Sequence, residues 1–333
     1  MLLHSNGLNH AECPERLRSV VARLKAAELP RSVWLPCREA RREELIRAHT
    51  EAHVDWLLSQ RGQSGRIDGD TRYSAGSVHA ALLAAGSSID AVDTVLDQKA
   101  KTAWALSRPP GHHAEADKAM GFCLLNNIAV AAHHALEVRG LERVMIIDWD
   151  VHHGNGTEAI FAEDPRVLFF SSHQAPFYPN TGAARDIGRG EGEGYTVNLP
   201  LPAGTGGGDL RLLYRAFIPA LMAAYQPELV LVSAGFDGHR DDPLANFEAG
   251  ATDFAALTRI VKDAAEIVCD GRVVFMLEGG YDIRALSDSV LACARELSDD
   301  TLTSMEGRGP IGEKVLPAAR RLHLARWPIP EDA

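Results

Sequence analysis

Six short apolar runs, at positions 101–107, 143–149, 166–171, 195–199, 228–233 and 272–277, do most to constrain how this chain can fold. Each is too short for a core helix and hydrophobic at nearly every position, which predicts strands buried on both faces. Helical periods separate them. Val78, Leu82, Ala85, Ile89, Val92 and Leu96 recur at steps of four and three residues. Leu210, Leu213, Tyr214, Phe217 and Leu221 repeat the pattern in a segment that Asp209 is placed to cap and Pro219 to kink. Strands alternating with helices predict an α/β fold: an open, mostly parallel sheet with helices on both faces. The glycine-rich stretches 188–194 and 202–208 read as loops. Residues 1–333 read as a single domain, with a core over about 12–295 and an Arg- and Pro-rich extension over about 307–333 packed on its surface.

Charge narrows the partners. Lys and Arg number 34 against 45 Asp and Glu, a net charge of −11, which predicts no sequence-wide attraction to nucleic acid or an anionic membrane and favours a basic substrate. Cys13, Cys37, Cys123, Cys269 and Cys293 are scattered with no Cys-x-x-Cys pair, so they read as reduced thiols of a cytoplasmic protein. The N-terminus has no apolar stretch long enough for a signal peptide, and no window approaches the roughly 18 apolar residues of a membrane span.

In open α/β sheets ligands sit beyond the carboxyl ends of the strands, and here those positions are rich in metal-ligating types. The run 143–149 leads into Asp148, Asp150, His152 and His153, two carboxylates and two imidazoles within six residues. Strand alternation sends Asp148 and Asp150 to one side, and the following turn can bring His152 onto an ion held by Asp150. A solvated Asp/His-rich loop is the bland alternative, and the density of ligands argues against it. Asp237 follows the run 228–233, and with Asp150 and His152 it would make three ligands and one open position, the pattern of a catalytic metal site. That donor set suits Zn²⁺ first, with Fe²⁺ or Mn²⁺ as the other candidates. His112 and His113 follow a Pro-Pro-Gly turn and suit acid–base work beside such a metal. By contrast His133 and His134 lie in a helical stretch, 123–139, with neither a strand end nor an acidic neighbour expected, and read as structural; His79, His173 and His239 have similarly bland readings. The last run ends in Glu278-Gly279-Gly280-Tyr281, where the glycines permit a sharp turn and close approach to a ligand, and Tyr281 is placed to face the cleft as a donor to an oxyanion.

Taken in order, RPPGHHAE, GFCLLNN, DWDVHHGNG, SAGFD, DDPL and LEGGYD resemble the histone deacetylase family of the arginase/deacetylase fold, in particular its class II members and the bacterial histone-deacetylase-like amidohydrolases, over roughly residues 12–295. The resemblance implies one zinc per chain on Asp150, His152 and Asp237, His113 as general base and then acid, His112 as its electrostatic partner supported by Asp148, and Tyr281 as oxyanion donor. It implies a structural potassium site at Asp148, Asp150, His152, Ser171 and Ser172, and a second near Phe161, Asp164, Val167 and Tyr195. Asn155 stands behind His113 where class I members carry Asp, a loss of charge that makes the base less basic. Phe122 would form one wall of an acyl-lysine channel and Tyr178 the facing wall, with Gly121, Gly279 and Gly280 also part of the channel. Leu244 stands where polyamine-selective relatives carry Glu, which favours acetyl-lysine in protein or peptide over acetylpolyamines or other small acetylated amines. Two rivals are an arginase-like binuclear manganese enzyme, for which the second acidic pair is missing at Asp237-Gly238-His239, and a non-catalytic acyl-lysine binder, for which the catalytic set is too complete.

Overall fold

All six apolar runs form strands of one sheet. In the computed structural model, which describes residues 1–298 and 302–331, the elements run α1 (Pro14–Ala26), α2 (Arg42–Leu45), α3 (Glu51–Ser59), a two-residue antiparallel pair β1 (Gly65–Arg66) and β2 (Arg72–Tyr73), α4 (Ser77–Leu96), β3 (Thr102–Ala105), α5 (Asn127–His133), β4 (Val144–Asp148), α6 (Asn155–Phe161), β5 (Val167–Gln174), β6 (Thr196–Leu201), α7 (Gly207–Tyr225), β7 (Leu229–Ala234), α8 (Ala251–Cys269), β8 (Val273–Leu277), α9 (Ile283–Leu297) and α10 (Pro310–His323). The six long-range strands are all parallel, in the order β3-β8-β7-β4-β5-β6.

Every residue of β4, β5, β7 and β8 is buried, as continuous hydrophobicity predicts for strands covered on both faces. The two-residue period of the strands divides them between two cores. Met145, Ile147, Leu168, Phe170, Val230, Val232, Phe275 and Leu277 face α7, α8 and α9, whereas Val144, Ile146, Phe169, Leu231, Val274 and Met276 face α4 and α5. The tail adds α10 to the first of these faces, where Trp327 and Ile329 are buried in the same core. All five cysteines are free thiols. Among the described residues no helix is long and apolar enough to cross a membrane.

Two local expectations change. Asp209 is not the cap of α7: the helix begins earlier, with Gly206 as the extended cap residue, and Asp209 reaches back from the first turn to accept the Gly206 N–H at 2.9 Å. Its other oxygen accepts the N–H groups of Ile311 and Gly312 at 3.0 and 2.8 Å, so the carboxylate also serves the positive end of α10. The helix continues as one element through Pro219. His133 and His134 do have acidic neighbours, Glu137 at 2.9 Å and Asp93 at 2.8 Å, at the point where α5 loosens into the π-helical turn His134–Val138.

Candidate metal centre and active site

From β4 the chain builds outward through β5 and β6, then α7 carries it back to β7 on the opposite side of β4. That reversal opens a crevice at the carboxyl ends of β4 and β7, the place where such sheets bind ligands. Asp148, the last residue of β4, pairs in register with Ser171 of β5 and Ser233 of β7, which makes a polar belt at the top of an otherwise apolar sheet.

Asp150, His152 and Asp237 meet there. Among the described residues they are the one group of three such side chains whose ligand atoms all lie within 4.8 Å of one another. His152 Nδ1 stands 3.1 Å from Asp150 Oδ1 and 3.1 Å from Asp237 Oδ2. The carboxylates are aimed by main-chain donors: Gly279 N–H to Asp150 Oδ2 at 2.8 Å, His152 N–H to Asp150 Oδ1 at 2.9 Å, and Val151 N–H to Asp237 Oδ1 at 2.9 Å. Burial disfavours charge on both; His112 and His152 outweigh it at Asp150 and hold that acid low, whereas at Asp237 the charge of Asp150 adds to burial and lifts it. Burial also opposes charge on His152, yet the two carboxylates push it up to about 10. The group thus favours positive charge between its donor atoms.

Glycines make room for it. A Cβ at Gly279 would lie 2.1 Å from Asp237 Oδ2 and 2.6 Å from Asp150 Oδ2, and one at Gly235 would lie 2.1 Å from Asp150 Oδ2. The close approach at Gly279 is therefore to the carboxylates themselves. A buried, carboxylate-rich trio with its oxygens held by N–H groups fits a divalent cation.

His112 and His113 sit beside this trio with opposite electrostatics. Burial would lower His112, but Asp148, whose Oδ2 is 2.9 Å from Nδ1, and Asp150 hold it well above the ordinary imidazole range. His113 Nδ1 faces Asn155 Oδ1 at 2.8 Å, and burial together with the charges of His112 and His152 keeps it well below that range. Two adjacent imidazoles, one charged and one neutral, are the arrangement from which acid and base roles are assigned.

Tyr281 closes the other side. Its N–H donates to Asp242 Oδ2 at 2.6 Å, its ring lies under the Arg16 guanidinium at 4.8 Å, and burial pushes its phenol well above the usual value, so the hydroxyl keeps its proton. Phe122 meets Tyr281 edge-on at 5.9 Å and Tyr178 meets His113 at 5.2 Å. Gly121, next to Phe122, lies against the His113 ring. Tyr178 and Leu244 are partly open to solvent, at 39% and 37% exposure.

The residues expected around monovalent ions are also neighbours. Ser171 Oγ contacts His173 Nδ1 at 3.0 Å and Ser172 Oγ the Tyr214 hydroxyl at 2.9 Å, beside the belt that holds Asp148. Phe161, Asp164 and Val167 are joined by successive main-chain bonds, and the Tyr195 carbonyl accepts from Phe169 at 2.9 Å on the next strand.

Four residues of this region had no role in the sequence reading. Glu278 is buried and accepts from the N–H groups of Gly111 and His112 at 2.6 and 3.2 Å, which ties β8 to the histidine turn; burial lifts it to about 7. Glu115 accepts from Asn155 Nδ2 at 2.9 Å. Asp242 holds the Tyr281 turn, and Arg16 Nε and Nη2 donate to the carbonyls of Gly280 and Glu278 at 2.6 and 2.5 Å. Glu278, Glu115 and Asp242 lie inside recognisable motifs and were within reach; Arg16, in the first helix, carried no signal.

Comparison with known proteins places the chain in a family. Histone deacetylase-like amidohydrolase of Pseudomonas aeruginosa is 41% identical over 295 residues, 87% of this chain and 77% of that protein. Polyamine deacetylase HDAC10 of Homo sapiens is 38% identical over 332 residues, 95% of this chain, which spans about half of that protein (49%). The crystal structure of the HDA15 HD domain matches with a TM-score of 0.91 at 37% identity, covering 98% of this chain and 92% of that one. The α/β fold and the resemblance expected from the sequence are both borne out. The histone deacetylase domain family matches residues 10–297, a span that contains every strand of the sheet and every side chain of the centre, and this chain, a hydrolase of the deacetylase and amidohydrolase kind, belongs to the histone deacetylase family.

Proposed function

We propose that this protein hydrolyses the amide of N-acetyl-lysine in proteins or peptides, with one zinc ion per chain held by Asp150, His152 and Asp237. Ferrous iron is the other candidate. The observation that carries the reading is the convergence on the carboxylate trio of His112 on Asp148 and His113 on Asn155, 2.9 and 2.8 Å from their partners, with Tyr281 on the other side. When bound, a divalent cation supplies Lewis-acid polarisation of an acyl carbonyl and a more acidic water.

This chain's own groups do the rest. His113, with Nδ1 engaged by Asn155, uses Nε2 to take the proton from the attacking water as it adds to the acetyl carbon. The Tyr281 hydroxyl donates to the carbonyl oxygen as negative charge builds there, and the His112 imidazolium, anchored on Asp148, adds a fixed positive charge. His113 then gives its proton to the departing lysine amine, and the C–N bond breaks to give acetate and a deacetylated lysine side chain. Phe122 and Tyr178 flank the four-methylene stem, with Gly121, Leu244, Gly279 and Gly280 completing the channel. In the same reading a structural potassium uses Asp148, Asp150, His152, Ser171 and Ser172, and a second uses Phe161, Asp164, Val167 and Tyr195. Residues 1–333 act as one deacetylase domain with its core over about 12–295, and the five free thiols support a cytoplasmic, reducing location.

The likeness to a polyamine deacetylase gives a second reading, a small acetylated amine as substrate. Against it stands Leu244, which offers no carboxylate to a distant ammonium. Side-by-side hydrolysis of a fluorogenic acetyl-lysine peptide and of acetylated polyamines by zinc-loaded protein, with a chelator control, separates the two. Chelator-sensitive peptide turnover is expected; a strong preference for polyamines would replace the first reading by the second.

A further inference from the structure

A side-chain amide cannot orient itself. Asn155 presents a donor and an acceptor of nearly the same shape, and a half-turn about its last bond would put Nδ2, in place of Oδ1, against His113 Nδ1. His113 Nδ1 would then have to accept, and the ring proton would move to Nε2. That is the nitrogen whose lone pair a base needs.

Glu115 removes the ambiguity. Its Oε1 is 2.9 Å from Asn155 Nδ2, and an ionised carboxylate only accepts, so the amide nitrogen must face it. Oδ1 must in turn face His113, and Nδ1 must carry the proton. The remaining acceptors near Asn155 Nδ2 are the His113 carbonyl at 3.4 Å, a long contact, and Met120 Sδ at 3.5 Å, a weak thioether acceptor, so neither fixes the amide as a carboxylate does. The main chain at Glu115 is held without help from its side chain. Its N–H donates to the Lys118 carbonyl at 2.9 Å, and its carbonyl accepts from His49 Nδ1 at 3.0 Å. His49 must donate there, because its Nε2 accepts the Asn126 N–H at 2.9 Å.

We propose that Glu115 is a positioning residue: by accepting from Asn155 it fixes the amide, and through the amide it fixes the Nδ1–H tautomer that leaves His113 Nε2 free. The proposal rests on the reading of His113 as the base, and its test separates the two claims. Nitrogen-15 NMR of histidine-labelled, zinc-loaded protein reports the tautomer of His113 without turnover, with the resonance assigned by loss in His113→Phe. Glu115→Met removes the acceptor at similar length, and Glu115→Gln keeps an acceptor oxygen while removing the charge.

The expected result is a protonated Nδ1 in wild type and Glu115→Gln, and a proton shared onto Nε2 in Glu115→Met. In parallel, kcat falls about tenfold to a hundredfold in Glu115→Met with KM unchanged, and Glu115→Gln recovers most of it. A wild-type tautomer in Glu115→Met overturns the proposal. So does equal loss of kcat in both variants with the tautomer unmoved, which would make charge, not orientation, the contribution. Inactive wild type with the expected tautomer shift would sink the base reading for this substrate and leave the positioning role standing.

Discussion

Two fully buried charge clusters lie within reach of each other, and they are built on opposite plans. Near the N-terminus, Glu12 meets two guanidinium groups: Arg108 Nε lies 2.6 Å from Oε1 and Arg16 Nη1 3.4 Å from it, and all three side chains are 0% exposed. His4 and Asn6 complete the carboxylate, and the spare donors of Arg108 go to the carbonyls of Met1 and His4. At the strand ends, Asp148, Asp150, Asp237 and Glu278 are equally buried, but their balancing groups are imidazoles and N–H dipoles. In the first cluster every charged group meets a partner from the chain itself, the one carboxylate between the two guanidinium groups and their spare donors on main-chain carbonyls. The second leaves its carboxylates in excess around a trio that could hold a divalent cation, and this difference sets a self-contained scaffold apart from the proposed centre.

The sharpest way to break the contrast is Asp237→Asn. It removes a proposed ligand together with one of two crowded carboxylates, so zinc stoichiometry should fall from one to near zero and turnover by about a thousandfold or more, roughly 4 kcal/mol of barrier. The zinc-free form should resist urea at least as well as zinc-free wild type. A less stable apoprotein would mean that the centre is balanced after all.

Glu12→Gln probes the other cluster. Leaving two buried guanidinium groups short of their carboxylate should cost about 3–5 kcal/mol in urea unfolding. The pH dependence has a definite sign. Burial opposes its ionisation, but His4, Arg108 and Arg16 hold Glu12 down at about 2, below its ordinary value of 4.5. The unfolded chain thus takes up the proton first, and the Glu12 contribution, complete above pH 4.5, fades as pH falls toward 2, a loss of about 3 kcal/mol. Glu12→Gln should lack this part of the acid sensitivity, and identical pH profiles would detach Glu12 from the scaffold.

Tyr281 stands between the clusters, under Arg16 and beside the metal trio. Tyr281→Phe should keep one zinc and lose a hundredfold to a thousandfold in kcat, about 2.7–4 kcal/mol. Full activity in that variant would take the phenol out of the mechanism. The smallest effect belongs to the rim: Leu244→Glu, at a partly exposed site, should raise kcat/KM for acetylpolyamines over acetyl-lysine peptide by no more than about tenfold, as a screened surface charge allows.

The two regions also differ in how much of them the sequence discloses. The strand-end centre is readable because strand geometry gathers chemically distinctive residues into short runs: Asp148 to His153 fall within six positions, and a parallel sheet aligns those runs with Asp237 and Tyr281. The scaffold cluster is hidden because its partners are single charges in unremarkable settings. Arg16 lies on an amphipathic helix, where a charge ordinarily faces water, and its two closest acceptors are main-chain oxygens that no composition reveals. Asp209 misleads for a related reason: the apolar period begins at Leu210, while two glycines extend the helix one turn further back. For His134 the acidic partner, Asp93, comes from another helix.

The bond from Arg16 Nε to the Gly280 carbonyl spans 264 positions of sequence. On the ribosome, α1 is therefore made well before the turn carrying Tyr281 and must wait through that separation to meet it. Contacts of such separation form late, after the loop between them has paid its closure entropy. A nascent chain cut short before β8 would therefore carry the histidines together with Asp148, Asp150 and Asp237, yet neither Glu278 nor the Tyr281 turn that Arg16 anchors.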